Sequence, residues 1–162
     1  MLMRLGAVET WTAVLGFANV TSQGLLAGGL FIVLAGAVPT FRALPVETWL
    51  RVHRGLDSSI KRFMPVITLV ALLTAVALLA LPQNPLALWL TGAGVASLVV
   101  GIAVTTRLNH PINVAVARHT SGEAPLERSA LAGMRARWIT GHRYRTWLAV
   151  LGLVCFAAAQ AA

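Results

Sequence analysis

Charge is what this chain has least of. Only 11% of its 162 residues are charged, where a soluble domain would carry charge at about a quarter of its positions. The five carboxylates are Glu9, Glu47, Asp57, Glu123 and Glu127, and none falls inside a long apolar run. That absence argues against di-iron, zinc and proton-pump chemistry, which need carboxylates or clustered ligands within the spans. The single cysteine, Cys155, can form no intrachain disulfide and no thiolate framework for a metal. The four histidines, His53, His110, His119 and His142, show neither a His-x3-His nor a carboxylate-x2-His spacing. No internal repeat, low-complexity tract or second domain is visible.

What is present is apolar. No charge occurs between Glu9 and Arg42, from Phe63 through Thr106, or from Thr146 to Ala162. A spanning helix needs about 20 mostly apolar residues. The first run makes one span, over about 14–38. The second makes two, over about 65–81 and 86–106, broken at Leu81-Pro82-Gln83-Asn84-Pro85, where prolines remove backbone donors. The last covers about 141–161. The expected architecture is all-α: one integral membrane four-helix bundle over 1–162, with a cytoplasmic helical extension before the last span. Ala35-Gly36-Ala37 resembles a signal cleavage site, but the run is too long for a signal core and its stronger basic flank follows it.

Thirteen Arg and Lys give a net charge of +8. On a soluble chain this would suggest nucleic acid. Here the basic residues flank apolar runs, so the expected partner is the anionic leaflet of the bilayer and not nucleic acid. Arg42, Arg51, Arg54, Lys61 and Arg62 follow span one. Arg107, Arg118, Arg128, Arg135, Arg137, Arg143 and Arg145 follow span three or open span four. Only Arg4 precedes span one, and nothing charged joins spans two and three. The positive-inside bias therefore places both basic loops in the cytoplasm and both termini outside, in the cell (inner) membrane.

Ser121-Gly122-Glu123-Ala124-Pro125 reads as a helix start. Beyond it Leu126, Ala130, Met134, Trp138, His142 and Arg145 recur on one stripe, which predicts a long helix running into span four. Gly24 and Gly28 form a GxxxG in span one, and Ala93, Ser97 and Gly101 continue that spacing in span three. Both sets are expected to face neighbouring helices, and a homo-oligomer stays open.

Four constellations could carry chemistry. Asn109 and Asn113 flank Pro111 at helical spacing, and could line a polar cavity or tie down the carbonyl of Arg107 that Pro111 frees. The plainer reading is a capped helix end. Trp138, His142 and Arg145 share one face: an aromatic platform, an imidazole and a fixed cation, suited to a flat acidic molecule. The plainer reading is an interfacial aromatic with snorkelling cations. Asn19 and Gln23 lie in a polar patch inside span one, a functional position by default or else a helix-to-helix hydrogen bond. His53, in Arg51-Val52-His53-Arg54, reads as a solvated loop histidine, although His142, His53 or His110 could supply an axial haem ligand.

Taken together, Asn109-x-Pro111-x-Asn113, Trp138-x3-His142-x2-Arg145-Thr146, Phe63-Met64-Pro65 and the four-span layout resemble the anthrone oxygenase-like membrane family. The resemblance covers most of the chain. His110 departs from it, standing where an apolar residue is expected. The family includes fungal proteins that oxidise anthrones to anthraquinones, so the resemblance implies a membrane-embedded oxidase or monooxygenase acting on a lipophilic aromatic or quinone-like molecule. In that reading His142 is the base, Arg145 the anion partner, and Asn109 and Asn113 orient the substrate. Cofactor-independent oxygenation and a haem-dependent oxidase are both open, as is a non-catalytic accessory subunit. The site reading predicts that Trp138, His142 and Arg145 meet Asn109 and Asn113 around one pocket near the cytoplasmic boundary.

Overall fold

The computed structural model describes residues 2–162, with side chains from Glu9 onward; the side chain of Arg4 lies outside the described residues. The described chain is all helical. Helix α1 runs over Leu2–Ile32 and continues through a widened π-turn, Val33–Ala37, into α2, Val38–Ala43. Helices α3 (Val46–Ile60) and α4 (Met64–Leu79) meet at a 47° bend. Helix α5 (Pro85–Val104) passes through a second π-turn, Thr105–Asn109, into α6 (His110–Ser121), and α7 spans Arg128–Ala161. Three helical rods, 9–43, 85–121 and 128–161, are long and apolar enough to cross a membrane, and there are four if the bent α3–α4 pair is one span. Each of the four expected runs, about 14–38, 65–81, 86–106 and 141–161, falls largely on one of these helices.

Both π-turns stand in the same relation to a proline. Pro39 and Pro111 each lie two residues past a turn, and the carbonyl four residues before each proline is at the turn's centre, on Ala35 and Arg107. A proline cannot donate to that carbonyl and its ring pushes it aside. The widened turn absorbs the misfit, with Val38 N–H donating to Val33 and His110 N–H to Thr105. The carbonyl freed by Pro111 was expected from the sequence; the matching one at Pro39 was not.

Helix α1 packs against α4 and α7, and α5 packs against α7, while α4 and α5 touch less extensively. Asn84 caps α5, its Oδ1 accepting the Ala87 N–H at 2.9 Å, with Pro85 in the first turn. Most outward-facing positions of the rods are apolar, among them Phe17, Val66, Leu73, Trp89 and Leu151.

The two basic loops are helical, not irregular. Trp49, His53, Leu56 and Ile60 recur on one face of α3, and that face packs inward. Two of the basic-loop arginines cap helices. Arg135 donates to the carbonyls of Phe41 and Leu44 at 3.1 and 2.7 Å, and Arg54 donates to the Ala117 carbonyl at 2.7 Å. Cations at helix C-termini satisfy the last carbonyls and the negative end of the dipole. The expected helix start at 121–125 is displaced. Gly122 adopts φ +82° and closes α6, and α7 begins at Arg128 with Glu127 before it. A left-handed C-terminal glycine ends a helix; it cannot also begin the next.

The small-residue expectation holds only in part. A Cβ built on Gly24 meets Leu153 at 3.9 Å, ordinary contact, and one on Gly28 meets nothing. Gly28 faces outward, since the inward face of α1 carries Gln23, Leu26, Ala27 and Leu30. On α5, Ser97 is buried and donates to the Leu148 carbonyl at 2.8 Å, but Ala93 is exposed and its neighbour Gly94 makes the close approach. A Cβ there would stand 2.6 Å from the Phe156 ring. Gly152 and Gly141 on α7 are equally tight, against Gln23 Nε2 at 2.8 Å and Asn109 Oδ1 at 2.7 Å.

Candidate functional site

A cavity of about 450 Å³ lies in the basic half of the bundle, within the range of about 300–1,000 Å³ that small-molecule sites occupy. Leu26, Leu30, Leu72, Leu98 and Ile102 form apolar walls. Most polar groups converge at the basic end: His53 and Asp57 from α3 with Lys61 just beyond it, His110 and Asn113 from α6, and Trp138, His142 and Arg145 from α7. Pro65 and Leu69 on α4 and Thr106 beyond α5 are exposed as well as cavity-lining, so the cavity opens sideways between those two rods.

Trp138 is the hub. Its indole stacks on His142 with centroids 5.0 Å apart and planes within 5°, and the edge of His53 meets it at 4.8 Å. The guanidinium carbon of Arg145 lies 5.8 Å from the indole centroid. The i, i+4 and i+7 spacing of 138, 142 and 145 places them on one face, as their periodicity predicts. Both asparagines grip Trp138, one at each end. Asn109 Nδ2 donates to the Trp138 carbonyl at 3.0 Å, and Trp138 Nε1 donates to Asn113 Oδ1 at 2.8 Å. Asn113 Nδ2 donates in turn to Asp57 Oδ1 at 2.6 Å. An indole is only a donor and a carboxylate only an acceptor, so the Asn113 amide has one consistent orientation.

The five residues do come together, but two tasks differ from those expected. Asn109 is fully buried and absent from the cavity lining; it clamps the backbone of α7 in space that Gly141 leaves open, instead of orienting a ligand. His142 has both ring nitrogens engaged. Nδ1 faces Arg145 Nε at 3.1 Å and Nη2 at 2.8 Å, and Nε2 lies 3.0 Å from the Leu30 carbonyl. Arginine has no acceptor, so Nδ1 carries no proton; a carbonyl has no donor, so Nε2 carries one. Both partners demand the same neutral tautomer. His142 therefore holds Arg145 in place and has no lone pair left to act as a base or an axial haem ligand.

Arg145 has no carboxylate oxygen within 4 Å among the described residues, whose one ion pair is the exposed Arg128–Glu47 contact. Its remaining N–H groups have no acceptor among the described residues. Asp57 shares the cavity wall with Arg145 without forming an ion pair, so the free donors of Arg145 are open to an oxyanion.

His53 is a correction. It is 2% exposed, wedged among Phe41, Trp49 and Trp138, and not a solvated loop histidine. His110 stands exposed at the cavity rim, and His119 accepts the Leu126 N–H at 3.0 Å in the α6–α7 turn. Asn19 and Gln23 are fully buried but outside the cavity. Asn19 donates to the Ala71 carbonyl at 2.9 Å, tying α1 to α4, and Gln23 donates to the Ala149 carbonyl at 2.9 Å, tying α1 to α7. Theirs is the helix-joining alternative. The residue missed altogether is Asp57. Its signal was legible: it follows His53 by four on a face where apolar residues recur at helical spacing.

No curated protein and no solved structure matches this chain. The family described as Anthrone oxygenase matches it over residues 53–155. That stretch opens on His53 and contains Asp57, Asn109, Asn113, Trp138, His142 and Arg145, every polar group described around the cavity. The match covers well over half of the chain, which belongs to the anthrone oxygenase family.

Proposed function

We propose that this protein is a membrane-embedded oxygenase that converts a lipophilic aromatic ketone bearing an acidic CH2 group, of the anthrone type, to the corresponding quinone. The observation that carries the reading is Arg145: a cation without an ion-pair partner among the described residues, held by a neutral His142 beside an indole, at the polar end of a cavity whose other walls are largely apolar. Removing a proton from such a ketone sends the electron pair through the rings onto the ketone oxygen. A guanidinium pre-set to receive that oxyanion lowers the barrier without reorganisation. Exclusion of water strengthens the contact. The carbanion passes an electron to O2, the new C–O bond gives a hydroperoxide, and loss of the second hydrogen with O–O cleavage yields the quinone and one water. One O2 is consumed for each CH2 converted to C=O. The sideways opening between α4 and α5 suits a substrate dissolved in the bilayer.

The test is the purified chain in detergent with anthrone and oxygen. Anthraquinone formation with equal consumption of O2 is expected; no acceleration over a protein-free control counts against the reading. The same reading puts the basic end in the cytoplasm and both termini outside. A reporter fused after Ala162 is expected to be active only outside the cytoplasm, and activity confined to the cytoplasm would reverse the orientation.

A further inference from the structure

We infer that Asp57 is the proton acceptor of this site, taking the proton from the substrate's acidic carbon while Arg145 receives the charge on the substrate's oxygen. The inference rests on the proposed function above and adds the residue that function lacks, since His142 has no free lone pair.

Four imidazole or carboxylate groups in the cavity wall could accept a proton, and one of them, His110, stands exposed at the rim. His142 is engaged at both nitrogens. His53 is packed against three aromatic rings, and its Nδ1 is buried with no partner among the described residues. A proton there would place an unpaired cation in an apolar cluster near Arg145. Asp57 is the one carboxylate of the cavity lining. Its Oδ1 is fixed by Asn113, and its other oxygen has no hydrogen-bond partner among the described residues. One oxygen anchors the group and the other is free to take a proton.

The two charges are also pinned apart. Asp57 and Arg145 line one cavity without forming an ion pair, although opposite charges in a low-dielectric space attract strongly. Asn113, fixed by Trp138, restrains the carboxylate; His142, fixed by the Leu30 carbonyl, restrains the guanidinium. Trp138 touches both restraints, hydrogen-bonded to one and stacked on the other. A gap between a fixed base and a fixed cation fits a carbon acid whose acidic carbon and ketone oxygen lie at opposite edges of a ring. In an anthrone they do. The C–H bond breaks, its proton forms an O–H bond on Asp57, and its electron pair ends on the oxygen at Arg145.

The step can be observed without oxygen. Anthrone deuterated at its CH2 carbon is incubated anaerobically with the protein in detergent, and loss of deuterium is followed. The parent is expected to accelerate exchange, and Asp57→Asn to lose about 100-fold or more of that acceleration, the usual scale of a general base. Asp57→Asn should still bind anthraquinone, read by quenching of tryptophan fluorescence, because Arg145 and Trp138 are untouched. If Asp57→Asn does not fold, Asp57→Ala with added formate replaces it: exchange that rises with formate supports the assignment, and exchange indifferent to formate overturns it. Exchange by Asp57→Asn within about threefold of the parent overturns the inference and leaves the oxygenase reading standing. So does exchange lost in His53→Phe and kept in Asp57→Asn. A parent that neither exchanges nor oxidises anthrone overturns both.

Discussion

Replacing Arg145 with Lys is expected to lower turnover of an anthrone by about 100- to 1,000-fold, the range seen when one donor to a developing oxyanion is removed. The charge survives the change, and so does most of the side-chain volume. What is lost is the planar fork, which offers two nitrogens to His142 Nδ1 while others face the cavity. An ammonium is a point charge on a flexible stem, and it cannot hold both directions at once. The effect should fall mainly on kcat, because the oxyanion forms only as the proton leaves. Product binding, read by tryptophan quenching, should weaken far less. Arg145→Met should be as inactive as Lys and should also leave His142 Nδ1 without a donor. Turnover by Arg145→Lys within about threefold of the parent would show that Arg145 acts as a bulk charge, which the proposed mechanism does not allow.

Gly94→Ala is expected to destabilise the bundle by about 1–3 kcal/mol, the usual cost of overpacking. The added methyl would stand 2.6–2.8 Å from three atoms of the Phe156 ring. That ring is 1% exposed and fully enclosed, so it has nowhere to turn. The backbones of α5 and α7, the most extensively packed pair in the molecule, would have to separate. Gly28→Ala provides the comparison. It sits in span one at an outward position with nothing within 4 Å, and its effect should stay within about 0.5 kcal/mol. Unfolding in graded denaturing detergent measures both. Combining Gly94→Ala with Phe156→Leu should recover part of the loss, because the smaller side chain vacates the contested space. Equal stability of Gly94→Ala and Gly28→Ala would mean that the α5–α7 contact has room for a methyl group at Gly94.

The two glycines illustrate how far the amino-acid order reaches. The GxxxG of Gly24 and Gly28 is the more conspicuous pattern, yet only Gly24 meets a neighbour, and loosely. Spacing shows that two residues share a face; it does not show which face turns inward when every face of a span is apolar. Gly94, Gly141 and Gly152 carry no pattern. They are tight because Phe156, Asn109 and Gln23 happen to lie opposite. The histidines divide the same way. His142 was legible as part of a polar stripe on an apolar helix. His53 read as a loop residue because its helix is short and charged on its outer face, and its aromatic neighbours Phe41 and Trp138 are 12 and 85 positions away.

Hydropathy and charge are local properties, and they were enough to determine the all-helical class, the charged and uncharged ends of the bundle, and the shared face of Trp138, His142 and Arg145. A span needs only its own residues to be apolar, and a helical stripe needs only the 3.6-residue period. Tertiary structure alone decided that Asp57 faces the cavity of Arg145, 88 positions along the chain. It decided, too, that Asn109 clamps a backbone while Asn113 holds a carboxylate, and that His142 is a neutral support for Arg145. Each of these depends on the rotation and depth of one helix relative to another. Those two quantities are settled by which side chains interlock across the bundle, between segments that no local pattern connects.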